Sequence, residues 1–255
     1  MTSTEVAQAQ SFAIVSQEAA DAFRAALEGA GPEDLDLPRI KVPGSGGTIW
    51  EVPSDDPDEP DHEKAITGVI VDHYASDVLY VDEYSGGNEA PDAVWINGQF
   101  VSANEKAVAA GVIPGAPRDE QPLAQWGSAA DGSSAKAISQ RWRIFLVREG
   151  DLLPSIIDVP TMSRKAWINF NAMRIAGRGF KTTDVVVSLS LTKKTNKGGI
   201  DYAAIVPKLE FVLEDDARAH FAAQAESLKA LTRRISVEAT EPVASFEAAE
   251  GDEEV

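Results

Sequence analysis

Apolar and polar positions alternate with period two over several stretches of this 255-residue chain and advance in steps of three and four over others. "RWRIFLVRE" alternates, with Arg141, Arg143, Phe145 and Val147 on one expected face and Trp142, Ile144, Leu146 and Arg148 on the other. Further strands are predicted over 66–74, 78–81, 184–192 and 202–213, with Pro207 requiring an edge or a bulge. "VWINGQFV" carries strand residues on both sides of Asn97-Gly98, the dipeptide favoured in a type I′ hairpin turn. Helical spacing predicts a helix over 16–29 capped by Ser16, and another over about 161–176 burying Ala166, Phe170 and Met173. In the last helix Ala217, Phe221, Gln224, Leu228, Leu231 and Ile235 share a stripe, with acids in its first turn complementing the helix dipole.

Between these elements, "DLDLPRIKVPGSGGTIWEV" reads as extended chain broken by prolines and glycines, and "PSDDPDEPDHEK" as an exposed loop. Residues 103–135 read as a long, partly mobile connection. Residues 237–255 are acidic, poor in apolar residues and without periodicity, which predicts disorder. The expected organisation is a helical arm over 1–34, a core over 35–213, a helix over 214–236 and a tail over 237–255.

Charge changes this picture. The chain has formal charge −18, yet residues 136–197 hold 12 Lys/Arg against 4 Asp/Glu. About half of the cations therefore occupy a quarter of the chain, and a local field of that kind can steer a polyanion despite the net charge. There is no cysteine, which excludes disulfides and thiolate metal sites. No apolar run reaches the ~18–20 residues of a membrane span, and the N-terminus lacks a signal-peptide pattern. The expected location is the cytoplasm.

Catalytic motifs fail on inspection. "PGSGGTIW" is not followed by the Lys-Ser/Thr of a phosphate loop, and in "HEKAI" Ile66 stands where a zinc-protease helix needs its second His. No G-x-S-x-G is present. Asp72, His73, Asp77, Asp82 and Glu83 could gather round a divalent cation, which would make a metal-dependent nuclease. The reading preferred is non-enzymatic, with no cofactor and no metal.

Single-stranded nucleic acid is held by cations that follow the phosphates and by aromatic faces that stack bases. The middle segment offers Arg141, Trp142, Arg143, Phe145 and Arg148, then Arg164, Lys165 and Trp167, then Lys193, Lys194 and Lys197. Trp142 and Trp167 are more often core residues than stacking platforms in such patterns, and the three lysines could simply solubilise a hairpin tip. In the tail, Phe246 and Val255 lie among acids including Asp252, Glu253 and Glu254, a pattern suited to recruiting a partner or to competing for the basic segment.

The order "DLDLPRIKVPGSGGTIWEV", "AITGVIVDHY", "PLAQWGS", "AKAISQRWRIFLVREGDLLP", "TMSRKAWINF" and "VVVSLSLTKKTNKGGIDYAAI" resembles single-stranded DNA-binding, replication-type proteins of bacteriophages and mobile elements. The resemblance covers roughly residues 35–213. It implies a mainly β, α+β fold, an oligonucleotide-binding (OB) type of partly open β-barrel elaborated by helices. It also implies single-stranded DNA as ligand, and replication or recombination proteins as partners of the tail. Members tend to carry cysteines around "PLAQWGS" and "AKAISQ", suggestive of a zinc knuckle. Here Ala, Gln, Ser and Ile occupy that region, so no metal role carries over. The sequence leaves homo-oligomerisation open. The rival reading is an acidic interaction protein, a DNA mimic or phage assembly factor, whose cations pair with the acids of 51–63.

Overall fold

Ile66 to Leu79 make one strand rather than two: β4 runs over Ala65–Leu79. The computed structural model describes residues 12–26, 37–54, 56, 59–82, 90–130, 132, 134–196 and 198–238. The architecture is mixed α and β, mainly β, with a curled half-barrel sheet. The tail residues Phe246, Asp252, Glu253, Glu254 and Val255, and Lys197, lie outside the described residues. The chain divides into two units, Met1–Ser76 with Gln140–Ile235 and Asp77–Ser139 with Ser236–Val255.

In the first unit β1 (Arg39–Ile40), β7 (Ser139–Arg148), β8 (Ser155–Val159), β9 (Val185–Thr195) and β10 (Asp201–Val212) join β4 in the order β1-β8-β7-β4-β9-β10. β1 runs parallel to β8, and the pairs β7–β8, β4–β9 and β9–β10 are antiparallel. A separate ribbon pairs β2 (Trp50–Val52) with β3 (Asp61–Glu63), so the Asp-rich loop ends in a strand. The Trp50 indole N–H donates to the Leu189 carbonyl at 2.8 Å and fastens the ribbon to β9. Pro207 is accommodated as its chemistry requires, because among the described residues β10 pairs only with β9 and needs no amide donor on its outer side.

Ile66 and Ile70 enter the main core with Ile144, Leu146, Ile157 and Val187, and His73 meets Trp167 of that core edge-on. Ile70 and His73 are three residues apart, an odd number, so β4 must be irregular between them for both to face the same side. Gly68 marks the tightest approach to β7: a Cβ there would come within 2.3 Å of the Val147 carbonyl oxygen.

One face is closed by α3 (Thr161–Phe170), whose Ser163, Trp167 and Phe170 are buried, and the Ser163 Oγ accepts the Ile205 N–H at 3.0 Å. α4 (Asp215–Glu238) is held through Thr232, whose carbonyl accepts the Tyr74 hydroxyl at 2.8 Å and whose Oγ1 donates to Asp72 at 2.6 Å. Of the predicted stripe, Ala217, Phe221 and Leu231 are buried and Gln224 and Leu228 half-buried, while the Ile235 side chain lies outside the described residues. α1 (Gln17–Ala26) has its expected cap, the Ser16 Oγ accepting the Ala19 N–H. Upstream of it, Phe12 packs edge-on against Phe221.

The second unit contains β5 (Ala93–Ile96), β6 (Gln99–Ala103) and α2 (Glu105–Ala109). Asn97 and Gly98 have φ of 51° and 80°, the left-handed pair of a type I′ turn. The expected mobile connection over 103–135 is corrected: Ala107, Val112 and Ala124 pack with Leu79, Trp95 and Ile138. Fully buried Gln121 satisfies the loop backbone, accepting from the Ile113 N–H and donating to the Ile113 and Ala116 carbonyls. Ala93, Ala103, Ala107 and Ala124 fill half of the buried positions of this core, and they leave little periodic signal in the sequence.

Candidate nucleic-acid interface

The strand β7 was expected to present its cations and rings to a ligand, and the sheet covers most of them instead. Residues 143–147 are all buried, so neither period-two face is open. Arg143, 7% exposed, stands opposite Asp158 of β8 and binds it through Nε at 2.7 Å and Nη2 at 3.0 Å. Arg39 adds a third contact to Asp158 at 3.2 Å. Burial opposes charge on both partners, but mutual attraction outweighs it: Arg143 is raised above its ordinary value and Asp158 held below the usual carboxylate range. Arg141, half-buried, also acts on Asp158.

Phe145 is wholly buried with its ring 5.8 Å from that of Tyr74, and Trp167 is buried beside Phe170. Arg143, Phe145 and Trp167 are therefore corrected from contact residues to core residues, because strands and helices close over both faces of β7. Trp142 is half-buried. Its indole N–H donates to His73 Nδ1 at 3.1 Å, the two rings stack at 5.9 Å, and the Arg164 guanidinium lies 5.9 Å from the Trp142 ring centre. Arg148 pairs with Glu63 at 2.5 Å, inside the acidic stretch that the rival reading nominated.

At the β9–β10 hairpin Lys193 pairs with Asp201 at 2.6 Å, and the Thr195 hydroxyl donates to the same carboxylate. The hydrogen bonds from Lys193 and Thr195 keep Asp201 below its ordinary value. Lys194 is exposed and stands opposite Tyr202 in the ladder. The loop beyond is built by Asn196, whose Oδ1 accepts the Gly198 and Ile200 N–H groups, each at 2.9 Å.

Further exposed cations follow between β8 and β9. Residues 161–181 contain five Lys/Arg and no Asp/Glu. α3 runs on from Phe170 through a π-turn at Asn171–Ile175 and a 3-10 turn to Arg178, and Gly179 ends it at φ 82°. In a continuing α-helix, positions three and four beyond Phe170 would face the core. The wider π-turn brings the fifth position there instead. Ile175 is accordingly 0% exposed and Met173 is 69% exposed, which corrects the expected buried position of Met173; Ala166 is likewise exposed.

The same turn places Arg174 and Arg178 on the surface with Lys165 and Lys181, all exposed and without an ion pair among the described residues. Exposed Met162 lies on the same helix. Of the nominated residues in this segment, Lys165 is exposed and Arg164 is half-buried against the Trp142 ring. Arg174, Arg178 and Lys181 were missed, and the acid-free run was the signal that could have found them.

The described members of the candidate metal group have other partners. Asp72 accepts from Thr232, His73 from Trp142, Asp77 lies 3.5 Å from Arg118, and Asp82 pairs with Lys106; Glu83 lies outside the described residues. Among the described residues no three His, Asp or Glu side chains are placed to hold a metal ion. Likewise, no described helix is long and apolar enough to cross a membrane. No known protein family, curated protein or solved structure matches this chain.

Proposed function

We propose that this chain binds single-stranded DNA without catalysing a reaction on it, coating the strand with little sequence preference as the phage and mobile-element proteins it resembles do. The reading takes the curled sheet as an oligonucleotide-binding, partly open barrel, and the acidic tail as the element that recruits replication or recombination proteins. The observation that carries it is the run 161–181, where Lys165, Arg174, Arg178 and Lys181 are exposed with no acid in the segment. Exposed cations without local partners follow phosphates at little desolvation cost, and their counterions are released on binding. Lys194 and Arg164 would extend this contact.

The rival reading, an acidic interaction protein, is favoured by one contact, Arg148 to Glu63. Fluorescence anisotropy of labelled single- and double-stranded oligonucleotides, titrated with the full chain and with a form ending at Ser236 at several salt concentrations, separates the two. The proposed function requires preference for the single strand, weakening with salt and strengthening on loss of the tail. Absence of binding by either form at low salt would reject it and leave the acidic surface as the working one.

A further inference from the structure

Residues 77–139 are acidic, with Lys106, Arg118 and Lys136 set against nine Asp/Glu. Lys106 pairs with Asp82 and Asp92, and Arg118 with Asp77 and Asp119. Lys136 has no ion pair among the described residues; its Nζ lies 5.2 Å from the centre of the Trp126 ring. Trp126 is 78% exposed, whereas Trp50, Trp95 and Trp167 are buried and Trp142 is half-buried. So exposed an indole offers a flat apolar face to a partner.

The support is fixed. Leu123 and Ala124 on one side of the loop and Ile138 on the other belong to the core of this unit. The Gly127 N–H donates to the Ser134 and Ala135 carbonyls at 3.1 and 3.0 Å. Across the loop, the Ser128 hydroxyl donates to the Leu123 carbonyl at 2.7 Å and accepts the Ala137 N–H at 3.0 Å. Gly127, at φ 82°, makes the turn that carries the indole outward. An indole presented this way loses little freedom on binding.

We propose that Trp126 and Lys136 form a nucleobase-stacking site in this second unit, taking one base of a single strand on the indole face while Lys136 meets the adjoining phosphate. The site is distinct from the cationic surface of α3, and the inference rests on the reading of the chain as a single-strand binder. In a unit of negative charge, phosphate contacts alone would be repulsive, so stacking is the interaction that can hold a strand there. Any base has a flat face, so such a site adds affinity without adding sequence preference.

The test uses the full chain and an oligothymidylate. Iodide should quench the Trp126 emission of the unliganded protein, and oligothymidylate should both quench it and protect it from iodide. Trp126→Phe should remove that signal and keep most of the affinity, because a phenyl face still stacks. Trp126→Ala should weaken binding about 5- to 150-fold, the range for a lost base–aromatic stack. Lys136→Gln should weaken it less and reduce the salt dependence.

Wild-type affinity in Trp126→Ala, with unchanged circular dichroism, would overturn the site while leaving single-strand binding intact. Loss of self-association in that variant with DNA affinity retained would overturn it in favour of a protein contact. Absence of DNA binding by the wild type would overturn the reading on which it rests.

Discussion

Arg143 of β7 and Asp158 of β8 face each other across the ladder and share two hydrogen bonds, at 2.7 and 3.0 Å, inside the sheet. The pair explains how an arginine can open the buried run 143–147 of this strand: its charge is neutralised in place by a planar, two-point contact. It also withdraws from the surface a cation that looks, in sequence, like part of a binding strand.

Removing one partner leaves the other buried and uncompensated. Arg143→Met and Asp158→Asn should each destabilise the fold by about 3 kcal/mol, the lower end for such pairs, because Asp158 keeps 22% of its side-chain surface exposed. Urea unfolding measures this, and DNA affinity at permissive temperature should not change. The pH dependence follows from the directions of the shifts. Asp158 is held low, so its contribution is complete above the unfolded carboxylate value of about 3.9 and is lost as pH falls through the folded value. Arg143 is raised, so its contribution is complete below the unfolded arginine value and stays constant across the neutral range. The stability gap between wild type and Asp158→Asn should therefore be flat from about pH 5 to 8 and narrow in acid.

The cations of the α3 surface should act additively through salt. Single replacements of Lys165, Arg174, Arg178 and Lys181 by Gln should each flatten the slope of log K against log salt by about 0.7, the contribution of one phosphate contact on a single strand. Lys193→Gln should change it less, because Lys193 already pairs with Asp201. Anisotropy titrations over a series of salt concentrations read both effects. Equal slopes in all five variants would remove α3 from the interface.

The π-turn after Phe170 makes a prediction opposite to helical spacing. Ile175→Ala should cost about 2–5 kcal/mol through the cavity it leaves in the main core. Met173→Ala, at an exposed position, should stay within about 0.5 kcal/mol of wild type. Thermal melts of the two variants decide it, and a reversed order would mean that the helix continues without the π-turn.

Much of the local structure was legible in the chain. The Asn97-Gly98 hairpin, the cap at Ser16, the strands over 140–148, 184–192 and 202–213 and the stripe of α4 depend on residues close in sequence, whose backbone preferences and spacing act directly. So does the charge block over 136–197, which is a matter of composition. The core of 77–139 was not legible, because the alanines that fill half of it and a hydrogen-bonded Gln121 carry no strong period.

Which members of the basic block face outward was decided by tertiary structure. Arg143 is buried because Asp158, 15 positions away, lies opposite it, and Arg148 is engaged because Glu63, 85 positions away, arrives from a separate ribbon. Arg174, Arg178 and Lys181 remain open because one π-turn sets the phase of the chain beyond Phe170. Sequence determined how much positive charge this region carries, since that is counted residue by residue. Only the fold decided where the charge is available, because ion pairing and burial depend on partners that the chain brings together from far apart.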